Sequence, residues 1–215
     1  LYLALGRPEA VIDKIQPSGL SPVLQVEVLT MRGNAYMEAG KESLAIQSWD
    51  QARALDSRSA SPWIAEVPML LSKGRLDQAG EKADRALELA PNSASAWNMK
   101  ASVLHAAFDM KSALTAYDKA LSISPNHVDA RVARAALLMD LKREKDARKD
   151  LDYLKISAED EPRAAYLRSV LASQSGNSSQ ATEALKEVTR TIDALPADWL
   201  VRREQLLMAG ALAHY

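Results

Sequence analysis

The chain of 215 residues contains no cysteine. Disulfide bonds, thiolate metal ligands and thiol nucleophiles are therefore excluded from this sequence. An absence of cysteine suits a cytosolic protein and a periplasmic protein equally, so it does not indicate a compartment.

A charge excess and a long hydrophobic run are also missing. The chain carries 27 basic and 28 acidic residues, which gives a net charge of −1. A surface that binds nucleic acid or anionic lipid needs a basic excess, so we expect no nucleic-acid partner. No apolar run approaches the roughly 20 residues of a membrane-spanning helix, so we expect no membrane contact by this chain.

Residues that break helices are scarce. There are 8 glycines, 9 prolines and one phenylalanine, whereas alanine, leucine, glutamate, lysine and arginine are abundant. The abundant residues are good helix formers. The composition therefore indicates a helical protein.

The feature that organises the chain is a 34-residue repeat. Small or apolar residues recur at this spacing without an insertion, twelve residues before and seven residues after each member of a series of five alanines. That series is Ala45, Ala79, Ala113, Ala147 and Ala181. A period of this length is typical of a helical hairpin stacked on copies of itself. Close crossing of the two helices explains the alanines, because a larger side chain would force the helix axes apart.

The period divides the chain into five full repeats with incomplete ends. We place a partial repeat and linker at 1–25, an insert at 196–202 and the start of a truncated repeat at 203–215. The full repeats lie at 26–59, 60–93, 94–127, 128–161 and 162–195. Because both ends fall inside repeats, we expect a piece of a longer array. A signal peptide or lipid anchor would then lie outside it, and its ends could pair with other copies.

Each repeat contains two helical segments, which we name helix A and helix B. Gly40, Gly74 and Gly176 lie between them and predict a left-handed turn. Phe108 and Lys142 take that place in two repeats, so we expect a different turn geometry there. Pro68 lies within a helix A and predicts a kink or a break.

The large residues between the alanines carry a resemblance to a known family. Trp63 and Trp97 occupy the fourth place of their repeats, Leu70 and Leu138 the eleventh, and Tyr117 the twenty-fourth. With the alanines and the prolines after helix B, this pattern resembles the tetratricopeptide repeat. The resemblance implies an all-α, right-handed superhelical solenoid whose A helices line a concave groove.

The same resemblance implies which residues face the groove. They lie at the second, fifth, ninth, twelfth and thirteenth places of the repeats and combine apolar with polar side chains. Met139 and Tyr166 are the anchors that we expect to contact a protein or peptide partner. The candidate groove residues are Thr30, Asn34, Met37, Ile64, Leu71, Asn98, Ser102, His105, Val132, Met139, Tyr166, Val170, Ser173 and Gln174.

Nothing in the sequence predicts catalysis or a cofactor. His105, His127 and His214 are far apart and lack partners at the spacing of a metal site or a catalytic triad. No glycine-rich phosphate loop is present. Charges of alternating sign at 142–152 are typical of a solvent-facing helix with pairs of opposite charge. We therefore expect a non-enzymatic chain without a metal or other cofactor.

The last third of the chain carries a narrower resemblance. Residues 160–167 read DEPRAAYL and 171–177 read LASQSGN, followed by ALPA at 194–197 and QLLMAGALAHY at 205–215. This order is similar to the long repeat lipoproteins of the bacterial PEP-CTERM/exosortase sorting system. The resemblance implies an exported, envelope-anchored interaction scaffold for protein sorting or exopolysaccharide secretion. The alternatives are a periplasmic arm of a polysaccharide synthase or export complex, and the substrate-recruiting arm of a larger enzyme. A cytoplasmic location also remains open.

Overall fold

The computed structural model describes residues 8–193, and in that range the chain is all α with no strand. Its helices are α1 (Pro8–Lys14), α2 (Pro22–Glu38), α3 (Glu42–Leu55), α4 (Ser61–Ser72), α5 (Leu76–Leu89), α6 (Ala94–Ala106), α7 (Met110–Ile123), α8 (Val128–Asp140), α9 (Glu144–Ser157), α10 (Pro162–Gln174) and α11 (Ser178–Asp193). The predicted all-α fold is confirmed. Residues 8–193 include no helix that is long and apolar enough to cross a membrane.

Even-numbered helices from α2 to α10 are the A helices, and each is followed by its helix B. Four of the periodic alanines, Ala45, Ala79, Ala113 and Ala147, are fully buried, and Ala181 is half-buried. The places seven residues later are also fully buried in all five repeats. The period in the sequence therefore marks the side chains on which the helices of each hairpin cross.

The turns between helix A and helix B share one geometry, which corrects one prediction. Gly40, Gly74 and Gly176 have φ angles of 70°, 66° and 73°, as expected. Phe108 and Lys142 adopt the same left-handed conformation, with φ angles of 61° and 58°. In each of these turns the N–H of the residue that follows bonds back to a carbonyl five residues earlier, as from Asp109 to Leu104 at 2.9 Å. Closing the helix in this way outweighs the steric cost of a side chain at positive φ.

Helix α4 continues through Pro68, so the predicted break does not occur. Pro68 lacks the N–H that would bond to the carbonyl of Ile64, which removes one bond from the helix. The Pro68 side chain is exposed, and Val67 and Met69 on either side are buried. The burial of this helix compensates for the missing bond.

The chain divides into two compact units, Leu1–Ala116 and Tyr117–Tyr215, with the boundary inside α7. The first unit has a core that includes Trp49, Val67 and Leu70. The second unit contains a cluster of Ala165, Val188 and Ile192, with Tyr166 packed against it.

Several predictions concern residues outside the described range. The insert at 196–202, the truncated repeat at 203–215, His214 and the proposed pairing of chain ends all lie there. They remain predictions from sequence.

Candidate peptide-binding surface

The A helices of the first unit contact one another, α2 with α4 and α4 with α6. This contact places the groove candidates of three repeats on neighbouring helices. Thr30 is buried, and its hydroxyl donates to the carbonyl of Val26 at 2.8 Å. Asn34 is half-buried and accepts a hydrogen bond from Trp49 Nε1 at 3.2 Å. The polar groups of these two side chains are therefore hydrogen-bonded within the protein itself.

Asn98 differs from them. It is only 3% exposed, and its Oδ1 accepts no hydrogen bond from any described residue. A buried amide oxygen without a donor is costly, so it calls for an explanation. Ser102, one turn further along α6, is half-buried and donates to the carbonyl of Asn98 at 3.0 Å. His105 is also half-buried on this helix.

The apolar candidates of the first unit lie at the edge of the core. Ile64, Met37 and Leu71 are half-buried, and the last two pack against the cluster of Trp49 and Leu70. Each keeps part of its surface open. The A-helix surface of the first unit is therefore apolar with polar groups between, and among its described residues Asn98 supplies an unsatisfied acceptor.

In the second unit α8 contacts α10, and the candidates differ widely in exposure. Val132 and Met139 are buried, at 7% and 8% exposure. Tyr166 and Val170 are half-buried, and Ser173 and Gln174 are exposed. As an anchor, Met139 offers a partner little surface, whereas Tyr166 offers more.

One charged residue that we assigned to solvent is buried. Asp150, in the run of alternating charges, is 1% exposed. It accepts hydrogen bonds from Arg131 Nη1 at 2.8 Å and from Arg134 Nε and Nη2 at 2.8 and 2.6 Å. The guanidinium of Arg131 also stacks 3.7 Å from the ring centre of Tyr153. The prediction of a solvent face is therefore wrong for Asp150, because two arginines of α8 cover it.

Successive repeats are also joined by a recurring ion pair, which the sequence interpretation missed. Lys100 contacts Asp84 at 2.6 Å, and Arg134 contacts Asp118 at 2.6 Å. Both pairs join the same two places of the repeat. The signal was present, since aspartates recur at 34-residue spacing at Asp50, Asp84, Asp118 and Asp152.

The histidine at the start of α8 has a structural role. His127 is the N-cap of α8, where its Nδ1 accepts from the N–H of Ala130 at 3.3 Å. Among the described residues no group of three histidines, aspartates or glutamates could hold a metal ion.

At the start of α10, Glu161 accepts hydrogen bonds from the backbone N–H and the guanidinium of Arg163. The bonds to the guanidinium raise the pKa of Arg163.

Comparisons with known proteins agree with this architecture. Two family models described as tetratricopeptide repeat match the chain, one at residues 30–94 and 64–128 and the other at 104–171. The chain therefore belongs to the tetratricopeptide repeat family, whose members generally bind protein or peptide partners without catalysing a reaction. No curated protein matches the chain.

Solved structures with this fold share little sequence with the chain. PilW, a type IV pilus biogenesis factor, has a TM-score of 0.68 at 20% identity, covering 88% of this chain and 89% of PilW. TTC0263, a thermophilic TPR protein in Thermus thermophilus, has a TM-score of 0.69 at 15% identity, covering 86% and 98% of the two chains. YrrB, a TPR protein with an unusual peptide-binding site, has a TM-score of 0.54 at 17% identity, covering 91% and 99%. At these identities the likeness supports the fold alone.

Proposed function

We propose that the A-helix surface of the first unit is a non-catalytic binding site for a peptide segment of a partner protein. The observation that carries the proposal is the buried Oδ1 of Asn98, which has no donor in the described protein. The backbone N–H of a bound peptide would supply that donor. Half-buried Ile64 and Leu71 would contact apolar side chains of the same segment.

A selection of peptides from a random displayed library tests this proposal on the full chain. Peptides enriched by the wild type are measured against Asn98→Ala, in the first unit, and against Tyr166→Ala, in the second. Gln78→Ala, an exposed change on the helix B of the first unit, is the matched control. Asn98→Ala should weaken binding about 10-fold, since losing a buried hydrogen bond costs about 1–3 kcal/mol.

Equal binding to the wild type and to Asn98→Ala would contradict the proposal, and a loss for Tyr166→Ala alone would move the binding site to the second unit. A loss for Gln78→Ala alone would move it to the B helices. Circular dichroism of each variant separates lost contacts from lost folding.

We further propose that the chain acts in the bacterial envelope, as a scaffold for protein sorting or exopolysaccharide secretion. The support is the order of motifs at 160–177, 194–197 and 205–215, which is similar to exported repeat lipoproteins. Fractionation of cells that make the native protein, followed by detection with an antibody, tests this location. Recovery with the envelope is expected, and recovery only with the cytosol would contradict it.

A further inference from the structure

A pocket opens in the second unit, on the side of the B helices. It encloses about 220 Å³ and lies between α9 and α11, with side chains of α10 at its base. Leu151 comes from α9, Leu171 and Ala172 come from α10, and Ala184 comes from α11. These four side chains give it an apolar wall.

The corresponding place in the first unit, between α3, α4 and α5, contains larger side chains. At the matching positions three repeats earlier in the sequence, the first unit has Trp49 where the second has Leu151, Leu70 where it has Ala172, and Lys82 where it has Ala184. Trp49 and Leu70 are 1% and 2% exposed, and Lys82 reaches across to Glu66 at 3.0 Å. These three reductions in side-chain size make room for the pocket, whereas Arg148 and Arg168 are larger than Ile46 and Glu66 at the matching places.

The base of the pocket has an unsatisfied donor. Arg168 Nη2 bonds to Glu187 Oε2 at 2.5 Å, but its Nη1 is buried and has no acceptor among the described residues. In the first unit Arg53 and Lys82 lie 4.7 and 4.9 Å from the ring centre of Trp63. Ala165 takes the place of Trp63 in the second unit, so this place contributes no ring there.

Charge at the pocket does not select an anion or a cation. Three basic residues and three acidic residues line it, and the two charged pairs at its base use Glu187 with Arg168 and Lys155. A carboxylate ligand would meet repulsion from Asp152 and Glu183. The volume is below the roughly 300 Å³ at which small-molecule sites begin, but it suits one large side chain.

We propose that this pocket holds one tyrosine side chain of a partner protein, at a site separate from the A-helix surface. The ring lies against Leu151, Leu171 and the two alanines, next to the Arg168 guanidinium. The Arg168 guanidinium turns toward the ring on binding, and the hydroxyl oxygen then accepts the hydrogen bond that Nη1 now lacks. Phenylalanine would fill the same space without supplying an acceptor.

Titration of the full chain with p-cresol, the side-chain analogue of tyrosine, tests the proposal. With ¹³C-methyl alanine labelling, NMR follows the methyl groups of Ala172 and Ala184 in the pocket. Ala79 and Ala83 in the first unit are internal references. We expect shifts at the two pocket methyls, with a dissociation constant on the order of 1 mM. Toluene should bind about 2–10-fold more weakly, because it cannot accept the hydrogen bond from Arg168.

Ala184→Lys, which restores the residue of the first unit, should abolish the shift at Ala172. If that variant does not fold, Ala172→Leu takes its place, with Ala184 as the reporter. Unchanged helicity and unchanged signals of Ala130 and Ala147, two buried alanines of the second unit, verify folding. The proposal fails if p-cresol leaves both pocket methyls unshifted or still binds the folded filled variant. Toluene tests a ring without an acceptor, and sodium propionate tests a carboxylate. If either binds as tightly as p-cresol, the proposal also fails.

Discussion

The junction of α3, α4 and α5 and the junction of α9, α10 and α11 use the same places of the repeat. In the first, Trp63, Glu66, Arg53 and Lys82 form a mixed cluster of ring and charges, with two cation–ring contacts. In the second, Ala165 takes the place of Trp63 and Ala184 takes the place of Lys82. Arg168 takes the place of Glu66 and forms an ion pair with Glu187. Backbone placement therefore allows either a filled junction or a pocket, and side-chain size decides between them.

The two units also differ in how they hold a buried carboxylate. Glu66 in the first unit accepts a hydrogen bond from Arg53 at 2.7 Å and forms an ion pair with Lys82 at 3.0 Å. Asp150 in the second accepts three hydrogen bonds from two arginines. Each cluster also contains a second acid, since Arg53 pairs with Asp50 and Arg134 pairs with Asp118, both at 2.6 Å. The clusters therefore differ in the central acid: Asp150 accepts more hydrogen bonds from arginine than Glu66 does, and it is 1% rather than 6% exposed.

The largest effect should come from removing Asp150. Asp150→Ala leaves Arg131 and Arg134 without their shared partner and should lower the free energy of unfolding of the second unit by about 3–5 kcal/mol. Glu66→Ala should cost less, because Glu66 accepts one hydrogen bond from an arginine where Asp150 accepts three. Urea unfolding followed by circular dichroism measures both. Equal losses would contradict the contrast between the two carboxylates.

The next largest loss of stability should come from Gly33→Ala. A Cβ at Gly33 would lie 2.2 Å from Trp49 Nε1, so the indole must move. Overpacking of this kind costs about 1–3 kcal/mol. The second unit has Ala135 and Leu151 at the two matching places. Gly33→Ala combined with Trp49→Leu reproduces that pair.

The double variant should therefore lose at least about 1 kcal/mol less than the sum of the two single losses. A double-mutant cycle from urea unfolding gives this coupling. Additive losses would show that the size of residue 33 is not matched to that of Trp49.

Ala147→Leu and Ala172→Leu make the same chemical change at two buried alanines of the second unit. Ala147 is 0% exposed and lies where the hairpin helices cross, so its replacement should cost about 1–3 kcal/mol. Ala172 faces the pocket, which has room for the added atoms, so its replacement should cost under about 1 kcal/mol. Thermal unfolding compares them, and a greater loss for Ala172→Leu would contradict the open junction.

The smallest predicted effect concerns the turns. Phe108→Gly and Lys142→Gly should each raise the free energy of unfolding by about 0.5–1 kcal/mol, because glycine tolerates positive φ. Gly74→Ala should lower it by about 1 kcal/mol. Urea midpoints measure all three, and destabilisation by both glycine variants would show that contacts of these side chains outweigh the strain.

The sequence predicted the helical fold because hairpin crossings require small residues, and those residues recur at Ala45, Ala79, Ala113 and Ala147. It did not predict the burial of Asp150, since a charge run on one helix contains no information about the arginines of another. The turn at Phe108 was misjudged because a residue's preference was weighed without the hydrogen bonds that close the helix.

The candidate site was predictable to a lesser extent. Position in the repeat identified which side chains lie on the A helices, but not their exposure. Met139, at the twelfth place of its repeat, is buried, whereas Gln174, at the thirteenth place of the next repeat, is exposed. The pocket at Ala172 could have been predicted by comparing side-chain sizes three periods apart, whereas the unpaired donor of Arg168 required coordinates.

The contrast between a filled and an open junction can be tested directly, because the chain has no cysteine of its own. Ala83→Cys lies in the core of the first unit, and Ala172→Cys lies in the pocket; the parent alanines are 0% and 4% exposed. Reaction of each with methyl methanethiosulfonate gives its accessibility under native conditions. We predict that the thiol at position 172 reacts at least about 10-fold faster than the thiol at position 83. Equal rates, with both variants folded, would contradict the account.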